Sequence, residues 1–381
     1  MIKPIAGLNQ AQGRAATWAA FDPYIVISTI VLMGFGLITI WSASGAEPLT
    51  LGSPVIKQSL YAVIGIGLML GLTMLDYRYV QTFAWVIYGG TLGLLVLVEI
   101  VGRAIGGSTR WIDLGFFTLQ PSEITKLAVI IAVGAFIANR GNEMTRFTNF
   151  VASGLIVGVP AVIVFQQPDL GTASVFAFVW LAMVLMSGTR LLYLGGLVVG
   201  AIPFSFVAWK FILHDYMRER LLISYHPEQD YFGAGFNIIQ AQITIGSGGW
   251  LGHGLTGSTQ SQLDLLHVRT TDFIFAHAMG MFGFVGALAL FLTFAILLWR
   301  TTHVVQATKD SFGQMMATGI SAMIFFQAFV NIGMNVGLMP VTGIPLPFIS
   351  LGGSSLWTML ASLGLLQSIF IRHRRLGFRP D

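Results

Sequence analysis

The chain has 381 residues, 55% of them apolar and only 9% charged, with 45 glycines, no cysteine and a mean hydropathy of +0.77. Soluble domains carry about a quarter charged residues, so this balance excludes a soluble enzyme and places the chain in a bilayer, where each crossing helix needs about twenty apolar residues. The net charge of +4 and pI near 9.4 read as loop charge that orients a membrane protein rather than as a nucleic-acid footprint, and the lack of cysteine removes disulfides, thiolate chemistry and Cys-ligated metals.

In chain order, uncharged stretches at residues 24–43, 58–75 and 79–98 predict three crossing helices. A shorter stretch at 127–139 spans once 121–126 joins it, and 147–168, 170–189, 191–209 and 273–299 each cross once. Residues 311–371 contain no Asp, Glu, Lys or Arg, enough for two spans separated by a break. The expectation is an all-α, polytopic membrane protein of about ten transmembrane helices, forming a single integral membrane domain over residues 1–381. The first span is longer than a signal-peptide core and is followed by the poor cleavage sequence Ser44-Gly45-Ala46, so it reads as a retained anchor. Residues 214–271 form a large extracytoplasmic loop with short helices, too small for a core of its own.

With the N-terminus inside, the cytoplasmic segments hold 12 basic against 5 acidic residues, a net +7, and the other face holds 8 against 11, a net −3. The positive-inside rule therefore places both termini in the cytoplasm. Arg372-His373-Arg374-Arg375, just inside the last span, suits anionic lipid headgroups.

Ionisable groups are costly at membrane depth, so their location is informative. Gln120-Pro121-Ser122-Glu123 opens the fourth span and Gln166-Gln167-Pro168-Asp169 precedes the sixth, each with Pro at a helix start and an acid in the first turn. Thr271-Asp272 opens the eighth, and the prolines of Met339-Pro340-Val341-Thr342-Gly343-Ile344-Pro345-Leu346-Pro347 forbid a continuous helix there. All four breaks fall toward the outer surface, which implies a polar cavity open to that side. Glu123 and Lys126, at i and i+3, serve equally well as a structural ion pair or a functional one. Asp169 alone is an ordinary first-turn acid. Asp272 suits a base, kept ionised by the helix N-terminus. Arg103, Arg110, Arg218, Arg220 and Arg269 are candidate phosphate ligands among what are otherwise ordinary loop charges. The glycine run 246–254 lacks the strand and the Lys-Ser or Lys-Thr of a nucleotide loop, and the seven histidines show no metal-ligand spacing.

Quoted together, Trp41-Ser42-Ala43-Ser44-Gly45, Arg110-Trp111-Ile112, Gln120-Pro121-Ser122-Glu123, Gln167-Pro168-Asp169-Leu170-Gly171, Ile245-Gly246-Ser247-Gly248-Gly249, Thr271-Asp272-Phe273-Ile274-Phe275, Asn331-Ile332-Gly333-Met334 and Pro345-Leu346-Pro347 resemble the SEDS family, RodA and FtsW, over nearly the whole chain. His214-Asp215-Tyr216, Gly235-Phe236-Asn237 and Gly257-Ser258-Thr259-Gln260 resemble the RodA branch, which serves cell elongation. The resemblance implies a peptidoglycan glycosyltransferase of the bacterial cytoplasmic membrane that polymerises lipid II on the extracytoplasmic side, with a class B penicillin-binding protein as partner and lipid II, the nascent glycan strand and membrane lipids as its other contacts. It implies Asp272 as catalytic base and Glu123, Lys126, Asp169, Arg110 and Arg269 as substrate-binding residues. No cofactor is certain, although a divalent cation, Mg or Mn, is compatible with the diphosphate leaving group.

The sequence departs from the family pattern at His267-Val268, where Pro-Glu is common, and at Gly280-Met281, where two acids are usual. These changes remove carboxylates expected near the base. Two other functions compete: a lipid II flippase, and a non-catalytic scaffold for the transpeptidase. A flippase needs a polar route continuing to the cytoplasm, whereas the charged groups here stop at the outer half, which favours the enzyme.

Overall fold

The computed structural model describes residues 21–45, 50, 52–105, 108–113, 115, 117–213, 215–230, 234–256, 259–263, 265–266 and 268–377. Nine of its helices are long and apolar enough to cross a membrane, and a tenth, Leu170–Met186, is a shorter apolar helix. The order is α1 (Pro23–Ala43), α2 (Pro54–Met74), the short α3 (Tyr77–Thr82), α4 (Ala84–Val101), α5 (Pro121–Arg140), α6 (Phe147–Gln166), α7 (Leu170–Met186) and α8 (Leu191–Val207). After these come α9 (Asp215–Tyr225) and α10 (Ala234–Ser247) in the large loop, then α11 (Ile274–Ala307), α12 (Ser311–Asn335) and α13 (Gly353–Gly377). The expected third span is interrupted, because the backbone leaves helical geometry at Phe83 between α3 and α4.

Helix starts follow local chemistry. Asp22, Ser53, Asp169 and Asp310 each accept a backbone N–H from the first turn of α1, α2, α7 and α12, and Pro stands at the start of α1, α2 and α5. The start of α1 and the end of α13 lie at one face, since the Asp22 amide donates to Gln367 Oε1 (3.0 Å) and Gln367 Nε2 donates to the Asp22 carbonyl (2.8 Å). Arg300 of α11 completes this junction through Nε to the buried Asp22 Oδ2 at 2.9 Å. Helices α5, α12 and α13 are buried along most of their length and form the centre of the bundle, whereas α8 is exposed along nearly all of its length and faces lipid.

Two features depart from the expected plain helical bundle. Between α4 and α5, a small antiparallel sheet with order β1-β2-β3 forms from β1 (Arg103–Ile105), β2 (Ser108–Asp113) and β3 (Thr118–Leu119). The large loop is also not wholly peripheral. Ala241 of α10 packs with Phe273 and Ala276 at the start of α11, and the glycine run then reaches a kink in α11 at Gly283 (φ 61°, ψ −156°). There Phe284 N–H donates to the Gly249 carbonyl (2.9 Å), Val285 N–H to the Trp250 carbonyl (3.1 Å) and His253 N–H to the Gly280 carbonyl (2.9 Å). The glycine run thus supplies the acceptors that a broken helix needs at membrane depth.

A Cβ on Gly283 meets Gly252 N at 2.5 Å and Trp250 C at 2.7 Å, and the backbone there lies in the left-handed region. Gly283→Ala is expected to destabilise the protein by about 1–3 kcal/mol through backbone strain alone, more with the clash, and to expose the 248–252 loop to protease. Thermal unfolding in detergent with limited proteolysis measures both, and a wild-type Tm removes this account of the kink.

Candidate functional site

At the face opposite the junction of Asp22, Gln367 and Arg300, the four predicted helix breaks become a set of interlocked turns. The turn before α7 is held from the sheet: Arg110 on β2 donates through Nε to the Gln167 carbonyl (2.6 Å) and through Nη2 to the Pro168 carbonyl, and its Nη1 lies 3.8 Å from Asp169 Oδ2. Asp169 also accepts from Thr172 N–H (3.0 Å) and Thr172 Oγ1 (2.9 Å), so one carboxylate caps α7 and pairs with Arg110. The 339–347 segment presses on the same turn, since a Cβ on Gly171 lies 2.6 Å from the Thr342 carbonyl oxygen.

Asp272 stands in the turn before α11, held through its backbone. The carbonyls of Thr270, Thr271 and Asp272 accept in succession from Leu351 N–H (2.9 Å), Ser350 Oγ (2.8 Å) and the carboxamides of Asn331 (3.2 Å) and Asn335 (3.0 Å) on α12. Its carboxylate does not cap α11. Gly343, at φ 72°, passes so close that a Cβ there stands 3.8 Å from Asp272 Oδ2. The surrounding protein raises the carboxyl pKa above the ordinary carboxylate value, mainly because burial disfavours the charge. Arg220 is the strongest opposing influence, the Thr271 hydroxyl and Arg110 also favour ionisation, and Asp169 disfavours it. The sequence predicts that the helix N-terminus favours the charge of Asp272; in the structure burial acts in the other direction, and no side chain caps the start of α11.

Arg220, on α9, came from the sequence only as one of five loop arginines. The structure gives it two neighbourhoods. It acts on Asp272, and it lines a cavity of about 330 Å³ whose walls are otherwise mainly apolar, including Leu170, Met217, Leu221, Phe326 and Val330. No spacing in the sequence distinguished Arg220 from Arg218, which instead pairs with Asp215 at 3.2 Å.

Glu123, Lys126 and Arg269 make other contacts. Lys126 Nζ and Glu123 Oε2 form an ion pair at 2.8 Å, with both side chains almost wholly buried in α5. Arg269 turns to the end of α1, where its Nε donates to the Ala43 carbonyl at 2.6 Å, beside the His277 to Ser42 contact of 3.1 Å. Asp272, Asp169, Arg110 and Arg220 thus form one electrostatic set, while Glu123, Lys126 and Arg269 anchor the frame around it. Of the two departures from the family pattern, Met281 is fully buried beneath the glycine run and Gly280 binds His253 there, about two turns along α11 from Asp272. Val268 is exposed in the Asp272 turn, and His267 lies outside the described residues.

This donor set does not suit a divalent cation held by protein ligands. Among the described residues no three His, Asp or Glu side chains converge, and Asp169 is already engaged by Arg110 and Thr172. The arrangement offers one carboxylate of raised proton affinity, two arginines and an adjoining apolar cavity. It can accept a proton from a hydroxyl and stabilise a multiply charged leaving anion carried on an apolar chain.

Residues 23–375 match the model of a family described as cell cycle protein and denoted by FtsW, RodA and SpoVE. The chain is 37% identical over 356 residues to the peptidoglycan glycosyltransferase MrdB of Escherichia coli (strain K12), covering 93% of this chain and 95% of that one. It is 36% identical over 358 residues to the stage V sporulation protein E of Bacillus subtilis (strain 168), covering 91% and 96%. Among solved structures it resembles one described as the structural coordination of polymerization and crosslinking by a peptidoglycan synthase complex, at TM-score 0.80 and 30% identity, over 95% of this chain and 100% of that chain. It also resembles the rod shape determining protein RodA of Thermus thermophilus, at TM-score 0.70 and 28% identity, over 95% and 99%.

Removing one partner of the buried Glu123 and Lys126 pair strands the other charge. Lys126→Met and Glu123→Gln are each expected to cost about 3–5 kcal/mol of stability, with the double variant losing much less than the sum. Denaturation of the four proteins in one detergent measures the coupling, and simple additivity removes the pairing.

Proposed function

The chain belongs to the FtsW, RodA and SpoVE family of cell-cycle proteins, and from that premise we propose that it is the peptidoglycan glycosyltransferase of cell elongation, with Asp272 as general base and lipid II as substrate. The observation that carries this reading is the double placement of Arg220, which lines the apolar cavity and also exerts the strongest charge influence on Asp272. A lipid-linked diphosphate sugar needs that combination: an apolar wall for the isoprenoid chain, a cation for the diphosphate, and a base beside the reacting sugar.

In this reading Asp272 takes the proton from an acceptor sugar hydroxyl as that oxygen bonds to the donor's anomeric carbon. The bond from that carbon to the diphosphate breaks, and the negative charge developing on the leaving group is met by Arg220 and Arg110. The raised proton affinity of Asp272 strengthens it as a base, while the two arginines act in the opposite direction and favour its ionised form. Arg110 also holds the turn before α7, so the group that meets the leaving anion is fixed to the wall of the site.

The protein is a multi-pass protein of the cytoplasmic membrane. The site faces the extracytoplasmic side in this proposal, on the strength of the +7 against −3 charge asymmetry. A class B penicillin-binding protein is the proposed partner, supported by the likeness to a complex that couples polymerization and crosslinking.

Asp272→Asn preserves shape and removes the base. It is expected to fold, bind lipid II and lower the polymerisation rate by about two or more orders of magnitude, measured on purified protein with its partner. An unchanged rate removes the assignment. The raised pKa predicts that the rate falls with decreasing pH at a higher pH than for an ordinary carboxylate, because protonation inactivates the base. Arg220→Gln should move this acid limb to higher pH and Asp169→Asn to lower pH, since Arg220 favours and Asp169 disfavours ionisation. A shift in the reverse of the stated direction for either variant, read in pH–rate profiles, contradicts the assignment.

A further inference from the structure

We propose that Asn331 is a positioning residue for Asp272, fixing the distance between the base and the 342–347 segment, with Asn335 as its support; the inference rests on Asp272 being the base. Asn331, Asn335 and their acceptors form a closed network in the core. Asn331 Nδ2 donates to the Asp272 carbonyl (3.2 Å) and to the Ile344 carbonyl (2.8 Å), two acceptors on separate elements. A carboxamide nitrogen has two N–H donors, so this geometry occupies both and uses Asn331 as a spacer between the two turns. Asn335, one helical turn along α12, donates to the Asp272 carbonyl (3.0 Å) and to the Asn331 carbonyl (2.8 Å), and its Oδ1 accepts Ala276 N–H (3.1 Å) from the first turn of α11. Both side chains are fully buried.

The place of the Asp272 carboxylate therefore depends on Asn331. The side chain of Asp272 projects from a backbone whose carbonyl is fixed, and the other end of the same spacer holds Ile344, next to the Gly343 that borders Asp272 Oδ2. Neither asparagine is among the groups that alter the proton affinity of Asp272, so their effect is on placement rather than on charge. A displacement near 1 Å at a reacting group can cost about a hundredfold in rate.

The test is Asn331→Leu, which keeps the branched shape and removes both donors, assayed for polymerisation on lipid II with the partner present. The expected result is a kcat lowered by about ten- to a hundredfold, a KM within about twofold of wild type, and an acid limb at the wild-type pH. Asn335→Ala, which leaves the Asn331 bridge in place, should show a smaller loss of the same pattern and serves if Asn331→Leu fails to fold. A folded variant with wild-type kcat, or one whose loss comes with a displaced acid limb, overturns the proposal. Asp272→Asn measured alongside separates the two claims. If it is active, the base assignment fails; if it is inactive while Asn331→Leu is fully active, the positioning role alone fails.

Discussion

Backbone that leaves a helix beside a bilayer must find its hydrogen bonds in protein, and the architecture of this site follows from that requirement. Four helix breaks lie near one face, and three of them carry prolines that cannot continue the helical ladder. Each freed carbonyl or amide is met by a group from a distant part of the chain. Arg110 meets Gln167 and Pro168, Asn331 and Asn335 meet Asp272, and the glycine run meets the amides beyond Gly283. Satisfying these groups draws the breaks together, and the carboxylates and guanidinium groups they carry come with them.

Charge inside this arrangement is balanced by position rather than by number. Asp169 is held by its own helix start and by Arg110, which restrains its mobility beside Asp272. Asp272 lacks so direct a partner for its carboxylate, and burial dominates its behaviour. One acid is thus tied to donors around it, and the other is made more basic by desolvation. Arg220 links the charged region to the apolar cavity, which is the arrangement the proposed lipid-linked substrate requires.

The frame around the site is stiff where it needs to be. Central helices α5, α12 and α13 are buried, with the Glu123 and Lys126 pair in α5 and the asparagines in α12. At the opposite face, Asp22, Gln367 and Arg300 join the start of α1 to α13 and α11. By contrast α8 packs little against the bundle, yet it leads into the α9 segment that carries Arg220.

The amino-acid sequence determined the spans and the breaks between them, because hydropathy, proline geometry and helix capping act over a few residues. Asp272, Asp169 and Arg110 were legible for the same reason: each sits at a helix break, or in the segment leading to one, that local chemistry marks. Tertiary structure alone decided which charges meet. Arg220 lies 52 positions from Asp272 and reaches it through the loop fold, while Arg269, only three positions away, is turned to Ala43. The direction of the Asp272 pKa also lay beyond the sequence, since it depends on how much water packing removes. So did the task of the glycine run, whose acceptors serve a kink about thirty residues further along the chain, and the role of Asn331, whose donors join two turns that only the fold brings side by side.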